Sequence, residues 1–252
     1  MDRSIQRYSS QNPNHRLLIV FDIDDTLLTS AQFFGGDALY RWQSGDVMQT
    51  EGGDMVRISD DEKLQCIFAK LDVLFELARF RPTQDDAHEV VRRLQGQHSV
   101  FALTSRSPGA RSGTERELGR AQIDLASSHL MAPGRALDFR LRGRGVTYAN
   151  GIVMSTGLDK GVVLHDILAR IDKQHAFDAI FMIDDGANNL ANVNGFWKDK
   201  AIDVRLFHYT RVPKTVSPSE LKEATQANQR LNAFINSAFP DRRASFDANQ
   251  CD

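Results

Sequence analysis

Two pairs of acids stand where carboxylates are costly to keep. Asp22 and Asp24 follow the apolar run Leu17–Phe21, and Asp184 and Asp185 follow the apolar run Ala179–Ile183. Each run is short and bounded by polar residues, the pattern of a strand buried on both faces of a parallel sheet. Carboxylates clustered at a strand end repel one another, and partial burial raises the cost. A divalent cation relieves that repulsion, and open α/β sheets bind ligands at the carboxyl ends of their strands. The pattern points to a hard metal and a phosphorylated ligand. The plainer reading of the first cluster is an acidic turn in which Asp25 or Thr26 caps a helix. Recurrence of the motif at Asp184-Asp185 makes the metal site the stronger reading.

A third apolar run, Ser99–Leu103, delivers Thr104, Ser105 and Arg106. Hydroxyls and loop N–H groups at a strand end suit phosphate oxygens. Lys160 falls in the first turn of an amphipathic helix expected over Leu158–Ile171. A lysine there opposes the helix dipole, so its placement serves an anion if one binds; taken alone, an exposed lysine is the plainer reading.

The elements that must hold these residues follow from periodicity. Residues 1–16 read as a frayed arm, and 29–59 as irregular, with apolar pieces around Phe33, Phe34, Leu39, Tyr40 and Trp42. Helical spacing of Leu64, Ile67, Phe68, Leu71, Leu74, Phe75 and Ala78 predicts one strong helix over Asp60–Phe80. An insertion of that length between the first strand and the next helix is unusual, and a lid over a strand-end site would explain it. Further helices are expected over Thr83–Gln95, with Thr83 as N-cap, over residues 110–121 and over Ser217–Phe239. Ile123–Leu125 reads as a short strand. Leu137–Ser155 reads as a hairpin turning at RGRG, with Asn150-Gly151 as a second turn, and Val204–His208 as a last core strand. Arg140, Arg142 and Arg144 form either an anion-facing edge or a charged face that protects an edge strand.

The 252 residues suit one α/β domain with an insertion, or two small domains. With 41% hydrophobic and 25% charged residues, the composition is that of an ordinary globular chain. A net charge of −2 gives no reason to expect nucleic acid or an anionic membrane as partner. Cys66 and Cys251 are too few for a disulfide framework or a zinc site and are expected to be free thiols. No stretch reaches the length of a membrane span, and the first sixteen residues lack the apolar core of a signal peptide. The cytoplasm is the expected location, or the periplasm or exterior if a leader has been removed.

Four stretches in order, FDIDDTLL with Asp22 and Asp24, FALTSR with Thr104, LDKGVV with Lys160 and MIDDGANN with Asp184 and Asp185, resemble the haloacid dehalogenase (HAD) superfamily in its phosphatase branch. The blocks ALTSR, YANGIVMS-TGLDKG and FMIDDGANN further resemble a poorly characterised bacterial branch described mainly as a domain of unknown function. The resemblance implies a doubly wound parallel sheet, a Rossmann-like core formed by residues 1–30 and 81–252. A small, mainly helical cap, residues 31–80, would be inserted after the first strand.

It also implies roles. Asp22 would be the nucleophile that forms an aspartyl-phosphate, and Asp24 the general acid and base. Mg²⁺ would be held by Asp22, the main-chain carbonyl of Asp24 and Asp185, with Asp184 behind them. Asn189 stands where the family's form of the last motif has a second acid. Thr104, Ser105, Arg106 and Lys160 would hold the phosphoryl group. The expected substrate is a small phosphorylated metabolite, with Phe33, Phe34, Tyr40, Trp42 and Arg106 as selectors of its leaving group. Asp24 and the second acidic pair argue against a hydrolytic dehalogenase, which needs neither. An acidic motif on the first strand argues against a receiver-type signalling domain. A phosphotransferase and a non-catalytic phosphate- or metal-binding protein remain as alternatives.

Overall fold

The structure, a computed structural model, describes residues 1–173 and 175–242. The chain divides into two compact units, Met1–Thr29 with Arg81–Val212, and Ser30–Phe80 with Pro213–Asp252.

The first unit is built on a seven-stranded, mostly parallel sheet. In chain order its elements are α1 (Asp2–Gln11), β1 (Leu17–Phe21), α2 (Ala87–Gln95), β2 (Ser99–Thr104), α3 (Arg111–Arg120), β3 (Leu137–Leu141), β4 (Arg144–Ala149), β5 (Ile152–Met154), α4 (Lys160–Arg170), β6 (Ala179–Asp184), α5 (Ala187–Trp197) and β7 (Asp203–His208). The spatial order is β7-β6-β1-β2-β5-β4-β3. The first five are parallel to one another, and the hairpin β3–β4 closes one edge in antiparallel fashion. Every residue of β1 is buried. Alternate side chains face opposite sides of the sheet. Leu18, Val20, Phe101, Leu103, Ile180 and Met182 pack against Val163, Leu164 and Ile167 of α4 and Val193 and Trp197 of α5. On the opposite parity Phe181 meets the Tyr8 ring of α1 edge-on at 5.2 Å. Full burial of each large apolar side chain contributes roughly 1.5–3 kcal/mol, which is what tolerates acids at the ends of β1 and β6.

Several expectations are corrected. Residues 1–16 are not a frayed arm: Asp2–Gln11 is helical because Ile5 and Tyr8, three apart, both reach the core. Thr83 is not the N-cap of α2, which starts after Asp86; its hydroxyl donates instead to the Thr26 carbonyl at 2.6 Å. Ile123–Leu125 is not a strand, although Ile123 and Leu125 are buried as apolar anchors of a loop. The hairpin is as expected, with left-handed residues Arg142-Gly143 and Asn150-Gly151 at its two turns. Arg140 donates to the Gly143 carbonyl within its own hairpin and Arg144 to the carbonyls of Thr156 and Gly157, so both serve their own edge of the sheet.

In the second unit the expected helix over Asp60–Phe80 is broken. It consists of 3-10 turns at Asp60–Glu62 and Phe68–Lys70, a helix at Leu71–Leu77 and a strand beginning at Phe80. Cys66, with φ of 52°, occupies the left-handed region, which no right-handed helix passes through. Cys66 is disulfide-bonded, against the expectation of a free thiol; Cys251 lies outside the described residues. The stretch expected to be irregular contains a helix, Asp37–Gln43, and the strands Met48–Thr50 and Met55–Val56, which pair with Thr215–Val216 in a three-stranded sheet. Pro218–Ala238 is helical, started by a capping box between Ser217 and Glu220. Phe33, Phe34 and Trp42 belong to apolar clusters of this unit, whereas Tyr40 is exposed. Among the described residues no helix is long and apolar enough to cross a membrane.

Candidate functional site

The strand ends converge because the register aligns them. Phe21 pairs with Ile183 on one side and Ala102 on the other. Asp22, Thr104 and Asp184 therefore leave the sheet at the same end. The Asp22 N–H still donates to the Ile183 carbonyl at 2.8 Å, which extends the ladder by one residue. Beyond it the chain folds into a tight turn in which the N–H groups of Thr26, Leu27 and Leu28 all point to the Ile23 carbonyl. Asp25 takes a left-handed conformation there, with φ of 54°, which Asp tolerates better than most residues. No helix starts at this point, so neither Asp25 nor Thr26 is an N-cap.

Lys160 opens α4, whose true N-cap is Asp159, accepting from the N–H groups of Gly161 and Val162. The Lys160 ammonium is buried and donates at 2.6 Å to Asp22 Oδ1 and at 2.6 Å to Asp184 Oδ2. The plainer reading of this lysine as an exposed side chain is overturned. Burial works against its charge, but the Asp22 and Asp184 carboxylates outweigh it and hold its pKa above the usual lysine value. Burial pushes the Asp22 carboxyl well above the usual carboxylate range; Asp184, Asp185 and Asp24 push the same way and Lys160 opposes them. Charge in this group is balanced by Lys160 in part.

The carboxylates of Asp22, Asp184 and Asp185 bring oxygens within 4.8 Å of one another and can hold a metal ion. Their donor set is all oxygen and carries more negative charge than Lys160 neutralises, which fits a hard divalent cation. The two neighbouring acids are engaged differently. Asp184 Oδ1 accepts from the Gly186 N–H at 2.8 Å and from the Asn189 amide at 3.0 Å, while Oδ2 accepts from Lys160. Asn189 is thus a donor to the Asp184 carboxylate. Asp185 is half-buried, and its main chain is anchored on both sides. Its N–H donates to Thr26 Oγ1 at 3.1 Å, and its carbonyl accepts from His208 Nε2 at 3.0 Å.

On the other flank Thr104 is fully buried and Arg106 nearly so, whereas Ser105 is exposed. Arg106 holds Asp24 through two hydrogen bonds. The main chain of this loop is laced to the loop before Lys160. The Ser155 N–H and hydroxyl both donate to the Thr104 carbonyl, the Thr156 N–H donates to Arg106 and the Gly157 N–H to Ser105. The two stretches expected to hold phosphate are therefore fastened to each other.

Asp22, Asp24, Thr104, Ser105, Arg106, Lys160, Asp184 and Asp185 lie in one unit and at one end of one sheet, whereas Phe33, Phe34, Tyr40 and Trp42, expected to select the leaving group, belong to the other unit. Sequence reasoning missed Thr26 and His208 as supports of Asp185, and Ser155–Gly157 as the lacing. A strand-end histidine carries no local pattern, and its role depends on the register that pairs Asp184 with His208.

The chain belongs to the family described as Protein of unknown function (DUF2608), whose model matches residues 3–240. No curated protein matches the chain.

Proposed function

We propose that the chain is a Mg²⁺-dependent phosphomonoester hydrolase of HAD-like, doubly wound architecture, acting on a small phosphorylated metabolite. The observation that carries this reading is the buried Lys160 ammonium between Asp22 and Asp184, with Asp24 two residues on gripped by a buried arginine. A nucleophilic carboxylate, a second carboxylate for proton transfer, a fixed cation and an oxygen-donor site are the parts phosphoryl transfer needs.

Asp22 attacks phosphorus, the bond from phosphorus to the leaving oxygen breaks, and an aspartyl-phosphate results. Asp24 donates a proton to the departing alkoxide. It then takes a proton from a water that attacks the aspartyl-phosphate, releasing inorganic phosphate and restoring Asp22. Lys160 and Thr104 hold the phosphoryl oxygens, Arg106 fixes Asp24 beside them, and Ser105 adds an exposed hydroxyl. Mg²⁺, when bound by Asp22, the Asp24 main-chain carbonyl and Asp185, would offset the charge that spreads over those oxygens. Asp185 is taken as the direct ligand, with the Asp184 carboxylate, held by Lys160, the Gly186 N–H and the Asn189 amide, behind it.

For location, the disulfide at Cys66 favours an oxidising compartment, periplasmic or extracellular, over the cytoplasm, where thiols are kept reduced.

The test is hydrolysis of p-nitrophenyl phosphate with Mg²⁺, with EDTA, and in Asp22→Asn. Turnover that requires Mg²⁺ and vanishes in the variant supports the reading. Transfer of the phosphoryl group to an added alcohol in preference to water would move it to a phosphotransferase. Absence of turnover together with no rise in Tm from Mg²⁺ plus BeF₃⁻ would sink it.

A further inference from the structure

We propose that His208 is a positioning residue of the metal site, acting through the main chain of Asp185; the inference rests on the metal-dependent reading above. Three donors fix the Asp184 carboxylate directly: Lys160, the Gly186 N–H and the Asn189 amide. Asp185 lies one residue beyond the end of β6, where the sheet ladder stops. Two side-chain hydrogen bonds from other elements take over there. Thr26, in the turn after β1, accepts the Asp185 N–H at 3.1 Å, and His208, the last residue of β7, meets the Asp185 carbonyl at 3.0 Å. A carbonyl only accepts, so His208 Nε2 carries the proton and donates. Strand β7 itself is brought alongside by the pairing of Asp184 with His208 and by the Tyr209 N–H, which donates to the Asp184 carbonyl at 2.9 Å.

The peptide groups on either side of the Asp185 Cα are therefore pinned by the turn after β1 and by the last residue of β7. That fixes the direction in which its carboxylate leaves the backbone. Metal ligands must be held to within about half an ångström, and the groups that orient them matter nearly as much as the ligands. His208 is exposed, so core packing does not account for its hydrogen bond to Asp185.

The experiment compares the full chain with His208→Phe, which keeps a ring and loses the donor, and His208→Gln, whose amide reaches about as far as Nε2 and still donates. Mg²⁺ is titrated without substrate and binding is read as the rise in Tm; the Mg²⁺ midpoint for p-nitrophenyl phosphate turnover is read in parallel. The expected result is a midpoint raised about tenfold in His208→Phe, largely restored in His208→Gln, with Tm in EDTA close to wild type in both. Equal midpoints in all three proteins would overturn the role of His208 and leave the phosphatase reading standing. An equal loss in both variants would overturn the donor role. A wild-type protein that neither binds Mg²⁺ nor turns over would overturn both readings together.

Discussion

Arg106 grips Asp24 with a planar fork: Nε lies 3.0 Å from Oδ2 and Nη2 lies 2.8 Å from Oδ1. The arginine side chain is 1% exposed and the aspartate side chain 19%, so the guanidinium is buried and the carboxylate is the more open of the two. Arg106 is itself tied down. Its Nη1 donates to Thr114 Oγ1 at 2.8 Å, that hydroxyl donates to the Ala110 carbonyl at 2.7 Å, and the Arg106 N–H donates to Thr104 Oγ1. The residue that fixes the proposed acid and base is thus continuous with the loop that would hold phosphate.

Lysine cannot reproduce that fork, because an ammonium is a point charge without parallel donors. Arg106→Lys should lower kcat/KM by roughly 10- to 100-fold, since a small misplacement of a reacting group costs about that much. Thr114→Val, which removes an acceptor from Arg106 and no group from Asp24, should have a smaller effect in the same direction. Steady-state kinetics on an aryl phosphate decide the matter; unchanged kcat/KM in Arg106→Lys would show that the fork is dispensable.

Lys160 makes a different kind of contribution. Removing one member of a buried ionic group leaves its partners charged and unpaired, which typically costs about 3–5 kcal/mol. Lys160→Met should abolish turnover and also destabilise the fold by an amount of that order, because Asp22 and Asp184 lose their shared donor. Mg²⁺ should recover part of the lost stability, since a cation among the remaining carboxylates restores some of the balance. Urea unfolding with Mg²⁺ and with EDTA measures both effects. A variant as stable as wild type in EDTA would show that the acids relax without the lysine.

The parts that sequence reasoning found and missed divide along a physical line. The strands carrying Asp22, Thr104 and Asp184 are buried on both faces, so they read as unbroken apolar runs and their ends locate the acids. Helix α4 was legible through its apolar stripe, but the burial of Lys160 was not, because its partners lie 138 and 24 residues away. Between Asp60 and Phe80 the apolar spacing was genuine and its interpretation wrong. Leu64, Ile67 and Leu74 do face a core, yet left-handed Cys66 divides the stretch, and Lys70 is drawn inward by acceptors at Gln65, Asn228 and Asn232. Two of those acceptors lie more than 150 residues along the chain, and no local window contains them.

Asn150-Gly151 was legible as a turn, and the structure adds why the second residue has no side chain. Gly151 has φ of 72°, and a Cβ built there would lie 2.0 Å from the Leu125 carbonyl oxygen. Gly151→Ala combines backbone strain with a main-chain clash and should destabilise by about 2 kcal/mol or more. Gly119 is the contrast: it lies inside α3 and a Cβ there meets nothing within 4 Å. Gly119→Ala should stabilise by about 0.5–1 kcal/mol, the helix preference of alanine over glycine. Chemical denaturation of the two variants tests the pair, and like signs would contradict the argument.

Lys70 predicts a pH dependence within the second unit. Its ammonium donates at 2.7 Å to the Gln65 carbonyl, 2.7 Å to Asn228 Oδ1 and 2.5 Å to Asn232 Oδ1, and burial pulls its pKa down from 10.5 to about 8. Below the lower value both folded and unfolded chains carry the charge, and folding bears the full cost of burying it. Between the two values the unfolded chain binds more proton than the folded one, so stability rises with pH across that window. Above 10.5 the gain is complete. Lys70→Met cannot titrate and lacks this increment. Urea unfolding of both proteins near about pH 7.5 and about pH 9.5 isolates it, because every other titrating group is shared. Wild type should gain stability relative to Lys70→Met at the higher pH. A difference between the two proteins that stays constant from one pH to the other would mean that Lys70 holds its proton as firmly folded as unfolded, with its three oxygen acceptors fully compensating its burial.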